Sequence, residues 1–277
     1  MKTNVAYRLI PAVGLLLWLV APAQAQIKIG VAAPLTGNVQ WIGEQQEAGA
    51  QKAVDHLNDS GGLLGQEVEI ISVDDGCNPE QAKAAAEQLV SQGVVFVDGH
   101  MCSSASLAVS KIYEEAGIIM ITPASTNPRV TDEGGPNVFR VTGRDDQQGA
   151  VAGTYLAEHH PENRIGIIHD GQAYGQGLAE HTKSSLNKQG IKELLFDAFE
   201  PDQLDYLPFV DKLVEANVEV LYAGGYLADI ALILRLARKR LPDLKLLSGD
   251  AIASEDWLDL AGEAGSVPCS HSAPTFA

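Results

Sequence analysis

The residues of this chain that could do chemistry are grouped, and the groups recur just after apolar runs. Pro34-Leu35-Thr36-Gly37 and Trp41 follow the first run, Gly99-His100-Met101-Cys102-Ser103-Ser104 the third, and Thr122-Pro123-Ala124-Ser125-Thr126 the fourth. Later groups are Asp170 with Tyr174 and Gly175, then Gly224-Gly225-Tyr226, then Gly249-Asp250. Hydroxyls beside freed backbone amides at helix starts suit an anion such as a carboxylate. Carboxylates suit a cation, so the two sets together suit a ligand carrying both charges.

Signatures of covalent chemistry are absent. Neither Gly-x-Ser-x-Gly nor the P-loop occurs, and Gly175-Gln176-Gly177 follows a strand without a third glycine in register. Ser103 and His100 have the residue types of a hydrolytic pair, but no third group is identifiable to orient the histidine. No His or Cys pair has metal-ligand spacing, and His159-His160 sits at a polar helix end. The chain is expected not to be an enzyme and to need no cofactor or metal.

The elements that must hold these loops alternate in type. Strands are predicted at Ile27–Ala33, Val68–Val73, Val94–Val97, Ile118–Ile121, Ile165–His169, Leu194–Phe199, Val218–Tyr222 and Leu244–Leu247, with helices between. Ala50, Ala53, Val54 and Leu57 recur at helical spacing and give the helix Glu44–Asn58 one apolar stripe. Asn78-Pro79-Glu80-Gln81 marks a helix start, with Asn78 as cap, Pro79 in the first turn and Gln81 able to reach back. Strand and helix in alternation imply parallel sheets covered on both faces. The stretch Thr131–Gln148 breaks the rhythm around a short extended piece, Val138–Val141, and is expected to be a crossover between two lobes. Ligands of such sheets bind at the carboxyl ends of the strands, where the polar groups lie.

The amino terminus has the pattern of an export signal, so the protein is expected to work outside the cytoplasm. Lys2 and Arg8 precede an apolar run broken by Pro11, and Ala23-Gln24-Ala25 follows. The run is shorter than the roughly 20 residues of a membrane span and has the pattern of a cleaved signal peptide, residues 1–25. Removing it leaves about 250 residues, enough for two domains, and takes the formal charge from −17 to −19. That charge opposes nucleic acid and anionic membrane as partners. In an oxidising compartment Cys77 and Cys102 are candidate disulfide partners, each following a strand of the same sheet, and Cys269 is left over.

From Ile27 to Glu263 the chain closely resembles the periplasmic leucine, isoleucine and valine binding proteins of ABC importers. The resemblance is carried by Ile29 through Gly37, Asp74-Asp75-Gly76-Cys77-Asn78-Pro79, the Cys102-Ser103-Ser104 and Thr122–Thr126 segments, His169 through Gly177, and Gly224-Gly225-Tyr226. It implies an α/β protein of two Rossmann-like, doubly wound parallel-sheet lobes joined by a hinge, with lobes at residues 26–143 and 144–263. It further implies a periplasmic monomer that binds a small-molecule L-amino acid and hands it to an ABC permease in the inner membrane; a ligand sensor of the same fold, without transport, is the alternative. In that family the positions of Ser103, Thr126 and Ala124 hold the ligand's carboxylate and orient its ammonium, and Asp250 pairs with the ammonium. Tyr174 and Tyr226 bring the second lobe onto the ligand, Trp41 walls its side chain, and Asp145 matches an acidic hinge position. Several members have Glu at the position of Asp250 and Tyr at that of Trp41.

Each residue also has a plainer role. Ser103 and Ser104 could cap the helix running to Glu115, Thr126 could serve a turn, Tyr174 and Tyr226 the core, and Asp250 its own following helix. The tail, residues 264–277, has neither helical nor strand period. Family members continue for about another hundred residues, so the chain is expected to lack its carboxyl-terminal portion through a frameshift or early stop.

Overall fold

The computed structural model describes residues 26–266; the expected signal peptide, Cys269 and the tail from residue 267 lie outside the described residues. The first sheet has the order β2-β1-β3-β4-β5, built from β1 (Ile27–Ala33), β2 (Val68–Asp74), β3 (Phe96–Gly99), β4 (Ile119–Thr122) and β5 (Val138–Arg140). The second has the order β7-β6-β8-β9, from β6 (Ile165–His169), β7 (Leu195–Ala198), β8 (Val220–Gly224) and β9 (Lys245–Ser248). Every strand pair is parallel. The piece at Val138 is thus not the crossover itself but a fifth strand beside β4. Among the described residues the chain passes between the sheets once, through residues 141–144.

Each sheet is wound outward from its first strand. β1 lies between β2 and β3, and β6 between β7 and β8, so each sheet has a switch point where successive loops diverge and leave a crevice. The loops bordering the two crevices follow β1, β3, β6 and β8.

The second sheet is buried on both faces. Ile165 and Ile167 pack with helix α5 (Asp145–His159) and helix α6 (Ala173–Lys188), while Ile168 and Leu221 pack with helix α7 (Leu207–Glu215) and helix α8 (Leu227–Arg238). Ala264 joins that second cluster from a short 3-10 turn, Gly262–Gly265, so the expected irregular tail begins as ordered structure.

The first sheet departs from the expectation of two covered faces. Val97, Met120 and Val138 are buried under helix α2 (Pro79–Ser91) and helix α3 (Ser103–Ala116). The other face is covered by helix α1 (Gln40–Asp59) only over β1 and β2. Over β4 and β5, Ile119 and Phe139 remain 46% and 49% exposed, because no described helix crosses them.

Local signals explain the starts of two helices in the first lobe. Asn78 caps α2, its side chain accepting from the Glu80 and Gln81 N–H groups at 2.9 and 3.1 Å. Gln81 does not reach back to the cap; its amide donates to the Asp74 carbonyl, since the Asn78 N–H already donates to Asp75. α1 begins before its predicted start, so Trp41 lies on its first turn and not in a loop. Its buried line runs through Gly43, Gln46 and Val54, and Ala53 is exposed. Gly43 permits this early start, for a Cβ there would meet the Pro34 carbonyl oxygen.

Candidate functional site

The first wall of the cleft is built at the amino end of α3. Cys102 is the cap residue, in extended conformation and without a side-chain cap bond, and it is disulfide-bonded to Cys77 with Cα atoms 5.4 Å apart. Ser103 and Ser104 do not cap the helix. Ser103 Oγ accepts from the Asn127 N–H at 3.2 Å, and Ser104 Oγ accepts from the Ala173 N–H of the second lobe at 3.2 Å. Without a side-chain cap, the first-turn amides of α3 retain their partial positive charge toward the cleft.

A buried polar network fixes this wall. The His100 carbonyl accepts from the hydroxyls of Ser106, Thr122 and Ser125 at 3.0, 2.7 and 2.9 Å, which ties the loops after β3 and β4 together. The His100 ring is committed as well: Nδ1 lies 2.7 Å from Asp75 and Nε2 3.0 Å from the Tyr113 hydroxyl, with all three residues fully buried. His100 and Ser103 therefore do not form a nucleophile–base pair. Ala124, held by these ties, makes only a long N–H bond to Thr122, at 3.3 Å.

The second wall is acidic and aromatic. The Tyr174 hydroxyl donates to Asp250 at 2.8 Å and accepts from the Ala251 N–H at 3.2 Å, and its ring lies 5.3 Å from that of Tyr226. Asp250 opens a short 3-10 turn, Asp250–Ile252, and is exposed to the cleft. Burial, then the negative charges of Asp170, Asp145 and Asp250, push the Tyr226 phenol well above its ordinary pKa. A site with this field favours a cation.

These walls enclose a cavity of about 210 Å³, below the roughly 300–1,000 Å³ of drug-sized sites and suited to a small solute. Trp41, Ser103, Ala124, Tyr174, Tyr226 and Asp250 all line it. Thr126 and Asp145 do not. Both are buried, the Asp145 N–H donates to the Thr126 carbonyl at 3.0 Å, and neither the Thr126 hydroxyl nor the Asp145 carboxylate has a well-formed hydrogen bond. Burial pushes Asp145 up to about 7, with repulsion from Asp250 adding and the nearby Thr126 hydroxyl and Arg140 opposing. Asp170, at the end of β6, is also raised to about 7, chiefly by burial.

The apolar share of the lining was missed by sequence reasoning. Val39, Ile42, Met101 and Leu227 line the cavity, each within two residues of a predicted site residue. Their position in strand-end loops and first helical turns was the available signal. Also missed was Asn127, whose amide donates across the lobes to the Ala173 carbonyl at 2.6 Å, and Asn38, which donates to Asp202 at 2.5 Å. Both bonds run from the first lobe to the second. A wider depression on the outer face of α6, bordered by Glu180, Lys183 and Phe196, is open surface remote from these groups.

Among the described residues no group of three or more His, Cys, Asp or Glu side chains is placed to hold a metal ion, and no helix is long and apolar enough to cross a membrane.

Comparison with known proteins agrees with this architecture. A family model described as periplasmic binding protein matches residues 26–271, past Glu263, where the resemblance was expected to stop. An amino acid binding protein of Pseudomonas aeruginosa is 40% identical over 252 residues, covering 91% of this chain and 67% of the relative. A leucine-, isoleucine-, valine-, threonine- and alanine-binding protein of the same organism is 38% identical, covering 86% of this chain and 64% of the relative. The crystal structure of a leucine binding protein from Thermotoga maritima superposes with a TM-score of 0.77 at 29% identity, covering 86% of this chain and 67% of that one. The chain thus spans about two thirds of the length of the relatives it matches.

Proposed function

This chain belongs to the periplasmic binding protein family, and from that premise we propose that it captures a free, apolar amino acid in the periplasm and delivers it to an ABC permease. The observation that carries the proposal is the cavity whose two walls have opposite electrostatic character. An amino acid zwitterion loses its hydration on burial, so each charge needs a partner. The α3 amino end, with Ser103 and Ala124, meets the carboxylate, and Thr126, buried outside the lining, supports the turn that carries Ala124. Asp250 meets the ammonium, held in place by the Tyr174 hydroxyl. Trp41 and the apolar residues Val39, Ile42, Met101 and Leu227 surround an aliphatic side chain.

In this scheme the lobes are residues 26–143 and 144–263, and the segment at 141–144 is the hinge about which they close, in the manner of periplasmic binding proteins. Asp145 begins the helix just beyond it and adds negative charge behind Asp250. The protein acts as a monomer and performs no catalysis, in keeping with a family of solute-binding proteins.

Calorimetric titration with leucine, isoleucine, valine and phenylalanine, and with lysine and aspartate as controls, tests the assignment. Binding of an apolar amino acid at about micromolar Kd, near −8 kcal/mol, with none of the controls, is the expected result. A folded sample that binds no amino acid overturns it.

A further inference from the structure

We infer that Asn127, Ser104 and Gly177 form a latch that holds the two lobes closed, acting as positioning residues for ligand capture and not as ligand contacts. The inference rests on the capture function proposed above and names what sets its closed state.

The latch converges on one residue, Ala173. It is the first residue of α6, so its N–H is one of the donors a helix leaves without an internal partner. Gln172, in the cap position, makes no side-chain cap bond. The partner comes from the other lobe, where Ser104 Oγ accepts that N–H at 3.2 Å. The carbonyl of the same residue accepts from Asn127 Nδ2 at 2.6 Å. The amino end of α6 is therefore capped in trans, and only when the lobes meet.

Asn127 is built to do this. It is 4% exposed, its Oδ1 accepts from the Arg129 N–H at 3.0 Å, and its own N–H donates to Ser103 Oγ at 3.2 Å. Two bonds fix its side-chain amide, and its backbone N–H reaches the cavity residue Ser103. On the facing helix, one turn beyond Ala173, stands Gly177. A Cβ there would lie 2.6 Å from Asn127 Nδ2. Glycine is a poor helix residue, and here it leaves the space the asparagine occupies. None of the three latch residues lines the cavity.

A ligand that binds only the closed form has its apparent affinity reduced by the fraction of protein that is closed. Weakening the latch lowers that fraction without touching selectivity. Asn127→Asp keeps the acceptor for Arg129, removes the donor to Ala173 and sets a carboxylate against its carbonyl. Gly177→Ala intrudes from the other lobe, and because alanine favours helix it leaves the unfolding temperature of the free protein unchanged or raises it. Ser104→Ala removes the trans cap, and Ser104→Thr restores it.

Leucine titration and stopped-flow dissociation on the full chain read affinity, and small-angle scattering without leucine reads closure. Asn127→Asp and Gly177→Ala are expected to weaken leucine about tenfold each through faster dissociation, to keep the order of preference among amino acids, and to lose less than the product of their effects when combined. Wild-type affinity and dissociation rate in both variants overturn the latch. If the unmodified protein binds no amino acid, the capture function fails, and scattering decides the latch separately. Variants more extended than the unmodified protein then support the latch, and identical dimensions overturn it.

Discussion

The two lobes solve the same problem, holding strand-end loops over a cleft, by different means. The second sheet is buried on both faces, with Ile165, Ile167 and Ile168 fully covered. Its loops are positioned by apolar packing around Tyr174. The first sheet leaves Ile119 and Phe139 about half exposed. Its loops are instead tied by the Cys77–Cys102 bond and by the hydroxyls that converge on the His100 carbonyl. A lobe with less covered apolar surface keeps its site rigid through covalent and polar ties, because hydrophobic stabilisation scales with the area removed from water.

The largest test of this contrast is a cavity in the doubly covered sheet. Ile167→Ala is expected to cost roughly 2–5 kcal/mol in urea unfolding. A loss no larger than that of an exposed-face substitution breaks the comparison. Next, replacing Cys77 and Cys102 by serine is expected to cost about 2–4 kcal/mol, confined to the first lobe. Differential scanning calorimetry checks this: the transition of the second lobe stays where it was.

Electrostatics sharpen the contrast further. Asp145 and Asp170 both lie in the second lobe, behind the cavity wall, and both are raised from 3.8 to about 7, chiefly by burial. A carboxyl whose pKa is higher in the folded state binds more protons there than when unfolded. Its contribution is therefore fully present below about pH 4 and is lost as pH rises toward 7. The slope is about 1.4 kcal/mol per pH unit for each group. Asp145→Asn and Asp170→Asn are each expected to remove one share of that decline in stability measured from pH 4 to 8, and an unchanged slope counts against the assignment. The smallest effect is expected on the open face. Phe139→Ala changes stability by about 0.5 kcal/mol or less, and a larger loss measured in urea shows that this face is covered in solution.

Much of this molecule is legible in its residues. β1 and β6 have the predicted ends, and the Asn78-Pro79 start of α2 is where it was expected. β3 is shifted by two residues because Val94 closes the end of α2, its N–H donating to the Leu89 carbonyl. An apolar run alone does not tell which of its residues turn and which pair. Six of the eight expected binding residues share one cavity, since they sit in loops that the alternation of elements sends to the same edge. Thr126, in the turn after β4, and Asp145, at the start of α5, lie outside its lining because their side chains are buried, a matter of side-chain direction and not of position in the chain.

The amino-acid order alone determined the parallel α/β architecture, the paired cysteines and the edge of each sheet where the polar groups gather. Those features are encoded by local periodicity and by residue type at element ends. The tertiary structure decided that Ser103 and Ser104 bridge to other loops instead of capping their helix, which face of the first sheet stays open, and how the lobes meet. The contacts of Ala173 with Asn127 and Ser104 span 46 and 69 residues. No periodicity extends over such a distance, and only the packed lobes bring these groups within hydrogen-bonding reach.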